Sequence, residues 1–121
     1  MSVLGWIVVG LLGGVAAAAR FAIDAEIAAR AQSEFPLGIL AVNLSASFAL
    51  GIVAGAALHG AALTIVAGGG IGSYSTFSTW ILDSHRLGAA GRADLAWLNV
   101  GLSLAAGFTA VAFGHWLGTA L

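Results

Sequence analysis

Cysteine and lysine are absent from this sequence, and proline occurs once, at Pro36. Without cysteine there are no disulfides, no thiolate chemistry and no cysteine metal site. Charge is scarce: four arginines and five acids make up 7% of 121 residues and leave a net charge of −1. With no basic tract, nucleic-acid binding has no electrostatic footprint. What fills the chain instead is apolar: 60% of residues are hydrophobic and the mean hydropathy is +1.04. A soluble domain of this size carries far more charge than that. The composition therefore predicts an all-α integral membrane protein. At about 20 residues per span the length allows four crossings. The expected spans cover about 3–23, 36–58, 61–82 and 95–117, a single four-span membrane domain with little left for loops. The apolar start from Val3 lacks a basic n-region and a cleavage site, so it reads as the first span rather than a signal peptide.

A second absence concerns chemistry. Asp24, Glu26, Glu34, Asp83 and Asp94 all fall in connections, and no acid or histidine lies at mid-span. Proton-coupled transport uses an intramembrane ionisable group. Small four-span multidrug antiporters rely on a carboxylate in their first span, and this first span has none, which argues against a small-molecule exporter. Phosphate loops, paired carboxylates and metal-ligand spacings are missing. His85 and Asp83 lie at the surface, so a Ser/His/Asp site cannot form around a mid-membrane serine. The sequence reads as a non-enzyme.

The polar residues that do enter the spans are neutral. The third expected span carries Gly68-Gly69-Gly70 and then the stretch Gly72 to Trp80, with Ser73, Ser75, Thr76, Ser78, Thr79 and Tyr74 as hydroxyls. One reading is a helix whose serines and threonines bond back to their own carbonyls. The other is a break in the helix, tolerated only where it is buried in protein or lines a cavity, with freed carbonyls able to hold a cation. Asn43 in the second span is either helix–helix glue or a pore group. Phe77 and Trp80 share a helix face, either as ordinary packing or as ring edges turned to a permeant species. Asn99, Ser103 and Gly107 form one stripe of the fourth span. Amide N–H groups, hydroxyls and aromatic edges would together suit a small, hard anion. In the first span, Gly10, Gly13, Gly14 and the run Ala16 to Ala19 predict close approach to another helix, and Arg20 closes it. Asp24 to Phe35 is expected to hold a short amphipathic surface helix, and Pro36 to open the second span.

Arginine placement predicts orientation. With four spans, the first and third connections share a side, and these hold Arg20, Arg30, Arg86 and Arg92. The termini and the short turn near His59 hold neither Arg nor Lys. The positive-inside rule then puts the arginine-bearing connections in the cytoplasm and both termini outside, in a plasma-membrane, multi-pass protein.

Read together, these segments resemble the Fluc family of fluoride channels, also called CrcB-like proteins. Gly13-Gly14 with Arg20-Phe21 is similar to the family's first-span pattern. Pro36-Leu37-Gly38, Asn43 and Ser47-Phe48 are similar to Pro-Leu-Gly-Thr-Leu-x-x-Asn-x-x-Gly-Ser-Phe. Gly72-Ser73-Tyr74-Ser75-Thr76-Phe77-Ser78-Thr79-Trp80 is similar to Gly-Gly-x-Thr-Thr-Phe-Ser-Thr-Phe. The resemblance implies two four-span subunits packed antiparallel in dual topology, a third helix broken mid-membrane, and two fluoride pores at the interface. It implies a fluoride pathway over Asn43, Phe77, Ser78, Trp80, Asn99 and Ser103. It implies a structural sodium ion on the backbone carbonyls of Gly72 and Ser75, and a structural role for Arg20. The sequence departs from the pattern at Ile39, Ala46, Ser73 and Trp80, where the family has Thr, Gly, Gly and Phe. A subunit that must insert in both directions should carry almost no arginine bias. The strong bias here points to one half of a heterodimer, with a non-conducting structural subunit as the alternative.

Overall fold

The computed structural model describes residues 1–121 and contains helices and no strand. Helix α1 spans Val3–Ala31. It starts where the Ser2 hydroxyl accepts the Gly5 N–H at 3.1 Å, satisfying one of the orphan donors of the first turn. It ends at Gln32, whose φ of 47° turns the chain out of the helix. The amphipathic surface helix expected over residues 24–35 is not a separate element: residues 24–31 continue α1. Ala25, Ala28 and Ala29 are strong helix formers and nothing before Gln32 breaks the ladder, so the helix outruns its apolar part by two turns.

Helix α2 spans Leu37–Gly55 and follows directly on Pro36. Residues 60–74 form α3, which opens with the turn Gly60–Leu63, widens into a π-helical stretch over Thr64–Ile71 and closes with the turn Gly72–Tyr74. Helix α4 spans Ser78–Ala89 and α5 spans Ala93–Thr119. Three of these, α1, α2 and α5, are long and apolar enough to cross a membrane, with mean hydropathies of 1.9, 2.0 and 1.6. The molecule is thus a multi-pass membrane protein.

Glycine decides how the helices meet. Gly51 and Gly55 on α2 rest on the backbone of Val111 and His115, and Gly114 and Gly118 on α5 rest on the carbonyls of Phe48 and Ile52. A Cβ at any of these four positions would run into a backbone carbonyl oxygen. Both helices therefore present glycines four residues apart, and the main chains come into direct contact. Residue numbers rise in the same direction on both sides of this seam, so α2 and α5 run parallel. On the other flank, Val9 and Gly13 meet Gly69 and Ser73, so α1 runs parallel to α3. Gly38 at the start of α2 lies against Asp24 near the end of α1, as expected of antiparallel neighbours.

The two charged connections are tied to each other. Arg92 pairs with Glu34, across from the α1–α2 connection, and with Asp94 at 3.2 Å. Its hydrogen bond to Asp94 holds that carboxyl below the usual carboxylate range. Only 11 of 121 residues are buried, so most of the apolar surface is available to lipid or to another protein.

Candidate functional site

Between Tyr74 and Ser78 the chain leaves the helix. Ser75 is extended, with φ −75° and ψ 163°. Its N–H still reaches the Ile71 carbonyl at 3.0 Å, but the next residue turns away. The Thr76 N–H, which a continued helix would give to Gly72, donates to Asn43 Oδ1 at 2.9 Å. Asn43 Nδ2 returns a hydrogen bond to the Thr76 carbonyl, also at 2.9 Å. One amide side chain thus takes the place of a neighbouring strand and satisfies both main-chain groups of the residue at the break. An unpaired main-chain group buried away from water costs about 1–3 kcal/mol, so the clasp decides whether this backbone can exist here at all.

The far side of the break is capped by the same residue. Thr76 Oγ1 accepts the Thr79 N–H at 3.2 Å and lies 3.5 Å from Ser78 Oγ, which gives α4 its hydroxyl cap. The near side is held by α1: Arg20 Nη1 donates to the Ser75 carbonyl at 3.3 Å. Side chains from two other helices, α1 and α2, therefore hold a break of three residues.

Phe77 follows Thr76 and is 71% exposed. Its ring meets the Trp80 indole edge to face, centroids 5.4 Å apart and planes at 76°. Trp80 Nε1 donates to the Asn99 carbonyl at 3.3 Å, which fixes the indole against α5. Below it, Asn99 is 1% exposed and its Nδ2 donates to Ser84 Oγ at 2.8 Å and to the Trp80 carbonyl at 3.5 Å. Ser84 Oγ donates in turn to the Trp80 carbonyl at 2.9 Å, and Ser103 Oγ to Asn99 Oδ1 at 3.4 Å. No buried side-chain polar atom is left without a partner.

A cleft of about 260 Å³ opens between these elements, lined by Asn43, Ser47, Ser75, Thr76, Phe77, Trp80, Ser103 and Leu104. Of the residues the sequence assigned to a pathway, Asn43, Phe77, Trp80 and Ser103 come together here. Ser78 and Asn99 do not line it: Ser78 is exposed on the first turn of α4, and both N–H groups of Asn99 are engaged within the chain. Ser47, Thr76 and Ser84 were not singled out as site residues. The spacing of Thr76 to Thr79 is a helix-capping signal, and Ser84 lies one helical turn beyond Trp80, so both could have been found.

Chemically, the cleft offers hydroxyls, one N–H of Asn43 not used within the chain, and the aromatic rings of Phe77 and Trp80. It holds no charged side chain and no set of three metal-ligating side chains. Such a surface can donate to a small anion without neutralising it.

Comparison with known proteins bears on this geometry. The family described as "CrcB-like protein, Camphor Resistance (CrcB)" matches residues 7–115. The fluoride-specific ion channel FluC 2 of Mycolicibacterium paratuberculosis is 40% identical over 112 residues, covering 93% of this chain and 92% of that protein. Symbiobacterium thermophilum has two similar proteins. Its fluoride-specific ion channel FluC 1 is 36% identical over 124 residues, covering 98% of this chain and 97% of that protein. Its FluC 2 is 40% identical over 108 residues, covering 85% and 88%.

Proposed function

The chain belongs to the CrcB-like family, and on that premise we propose that it is a subunit of a fluoride-selective channel, through which fluoride leaves the cytoplasm passively. It is a transport protein and not an enzyme, in keeping with relatives named as ion channels. The observation that carries the reading is the break at Ser75 to Phe77, clasped by Asn43 and opening on a neutral cleft with an exposed phenylalanine at its rim.

In this reading α3 and α4 together make the third of four spans. Parallel α2 and α5 require a return crossing between them, and only residues 60–89 are available to make it. The break then lies inside the membrane. Non-helical backbone at that depth persists only where protein covers it or water fills a cavity beside it. Gly72, Phe77 and Ser78 are exposed on the single chain, so a second, antiparallel four-span subunit covers them. The arginine bias favours a homologous but different partner of opposite orientation. The pair of channel proteins in Symbiobacterium thermophilum is consistent with such partnership. The termini then face outward and the connections holding Glu34 and Arg92 face the cytoplasm.

The break also suits a structural sodium ion. Its donors would be the neutral carbonyl oxygens of Gly72 and Ser75, and the Gly72 oxygen is relieved of its helical N–H because Thr76 turns to Asn43. Hard cations take such oxygen ligands. The ion would hold the two subunits' breaks in register, while Asn43, Phe77, Trp80 and Ser103 face the anion.

The test is fluoride efflux from liposomes containing the chain alone, then the chain with a candidate partner of opposite arginine bias. Efflux is expected with the partner; robust efflux from the chain alone would remove the heterodimer, and none in either case would remove the channel. One observation favours a second reading, a subunit that completes the assembly without conducting. The Trp80 N–H is committed to Asn99 and the larger indole stands against Phe77. Efflux unaffected by Phe77→Ala and Asn43→Ala in the assembled pair would support it.

A further inference from the structure

Arg20 and Arg86 enter no ion pair, and of the two only Arg20 is held on a main-chain oxygen of the break. Arg30 pairs with Glu26 and Arg92 with Glu34 and Asp94. Arg20 is half-buried, enters no ion pair, and its one hydrogen bond is to a neutral oxygen, the Ser75 carbonyl. A guanidinium does not lose its proton in a protein, so this is a fixed positive charge at the break.

That carbonyl is one of the two that the sodium reading assigns to the ion. A carbonyl has two lone pairs and can serve a guanidinium and a cation together. The two positive charges would then stand a few ångströms apart at a half-buried position. At that separation even a moderate effective dielectric leaves a repulsion worth roughly a factor of ten or more in affinity.

We propose that Arg20 sets the sodium affinity of the break, keeping it weak by holding a permanent charge on the Ser75 carbonyl. The proposal rests on the reading that Gly72 and Ser75 hold sodium. Arg20 is a positioning residue in this account: it keeps Ser75 extended in the lone subunit, and sodium adds to that contact only when a second set of carbonyls arrives with the partner.

The test follows thermal unfolding of the purified assembly by tryptophan fluorescence. Sodium is titrated against N-methyl-D-glucamine at constant ionic strength, for wild type, Arg20→Gln, Arg20→Met and Arg20→Lys. The sodium concentration giving half the stabilisation should fall at least tenfold in Arg20→Gln and Arg20→Met. It should stay within about threefold of wild type in Arg20→Lys, which keeps the charge. Equal midpoints in wild type and the neutral variants would overturn the proposal, as would a tenfold fall in Arg20→Lys. Failure of both neutral variants to accumulate at high sodium would also overturn it, because added sodium should replace the missing charge. If no protein responds to sodium, both this proposal and the sodium reading fall. Fluoride efflux from the same preparations shows separately whether the channel reading stands.

Discussion

The glycine seam between α2 and α5 and the break between α3 and α4 are built on opposite plans. In the seam, main chain touches main chain through Gly51, Gly55, Gly114 and Gly118, whose nearest neighbours are all backbone atoms. At the break, side chains from α1 and α2 reach main-chain groups that have left the helix. The seam is finished within one chain. The break is finished only on its inner side, because Phe77 and Ser78 remain exposed. One region is closed within the chain, and the other keeps part of its surface open. Both use glycine, but in the seam it permits approach, whereas in Gly68 to Gly70 it accompanies a widened π-helical stretch that lets α1 come close.

Substitutions separate the two plans. The largest effect is expected in the seam. Gly51→Leu or Gly114→Leu would push the helices apart along their length, and folded protein should be lost on size-exclusion in detergent. Next comes Asn43→Ala. It orphans the Thr76 N–H and carbonyl together, and should cost about 2–4 kcal/mol by chemical denaturation. Asn43→Asp, which keeps the acceptor but not the donor, should cost less when measured in the same way. Trp80→Phe restores the residue of the family pattern and removes one hydrogen bond to the Asn99 carbonyl. A loss of about 1 kcal/mol is expected, with efflux equal to or above wild type. Efflux below wild type would show that the indole itself serves conduction. The smallest structural effect belongs to Phe77→Ala, within about 0.5 kcal/mol because the ring is mostly exposed in the chain. Efflux should nonetheless be lost. A large stability loss there would mean that Phe77 belongs to the packing and not to the pathway.

The break was easier to read from sequence than the seam. A run of glycines leading into hydroxyls inside an apolar segment is locally conspicuous, and in the structure Gly72–Tyr74 stay helical and the chain turns extended at Ser75. Asn43 is visible as an amide in hydrocarbon that wants another helix or a permeant species, and it does bond to the third expected span. Its bidentate clasp on Thr76 depends on how α2 lies against the break, which no local pattern encodes. Asn99 teaches the same point from the other side. Its spacing with Ser103 and Gly107 defines a stripe, and the stripe does exist, but spacing does not say which neighbour it faces. The structure turns Asn99 inward to Ser84 and Trp80. The seam is not legible in this way, although both of its glycine pairs stand four apart in the sequence. Small residues are frequent throughout this chain, and only the parallel alignment of two distant helices makes those four count. The surface helix expected after residue 23 gave way to an unbroken α1, since helix propensity persists past the point where hydrophobicity ends.

Sequence separation also gives the two regions different places in the order of synthesis. Asn43 and Thr76 lie 33 residues apart, so the clasp can close before α5 has been made. The seam needs α5, which is translated after the break, and until then the glycine face of α2 lacks the helix it packs on. During that interval the nascent chain presents a bare main-chain groove to the insertion machinery. A chaperone or a neighbouring protein that engages α2 early would compete with α5, and a ribosome pause before residue 93 should lengthen the contest.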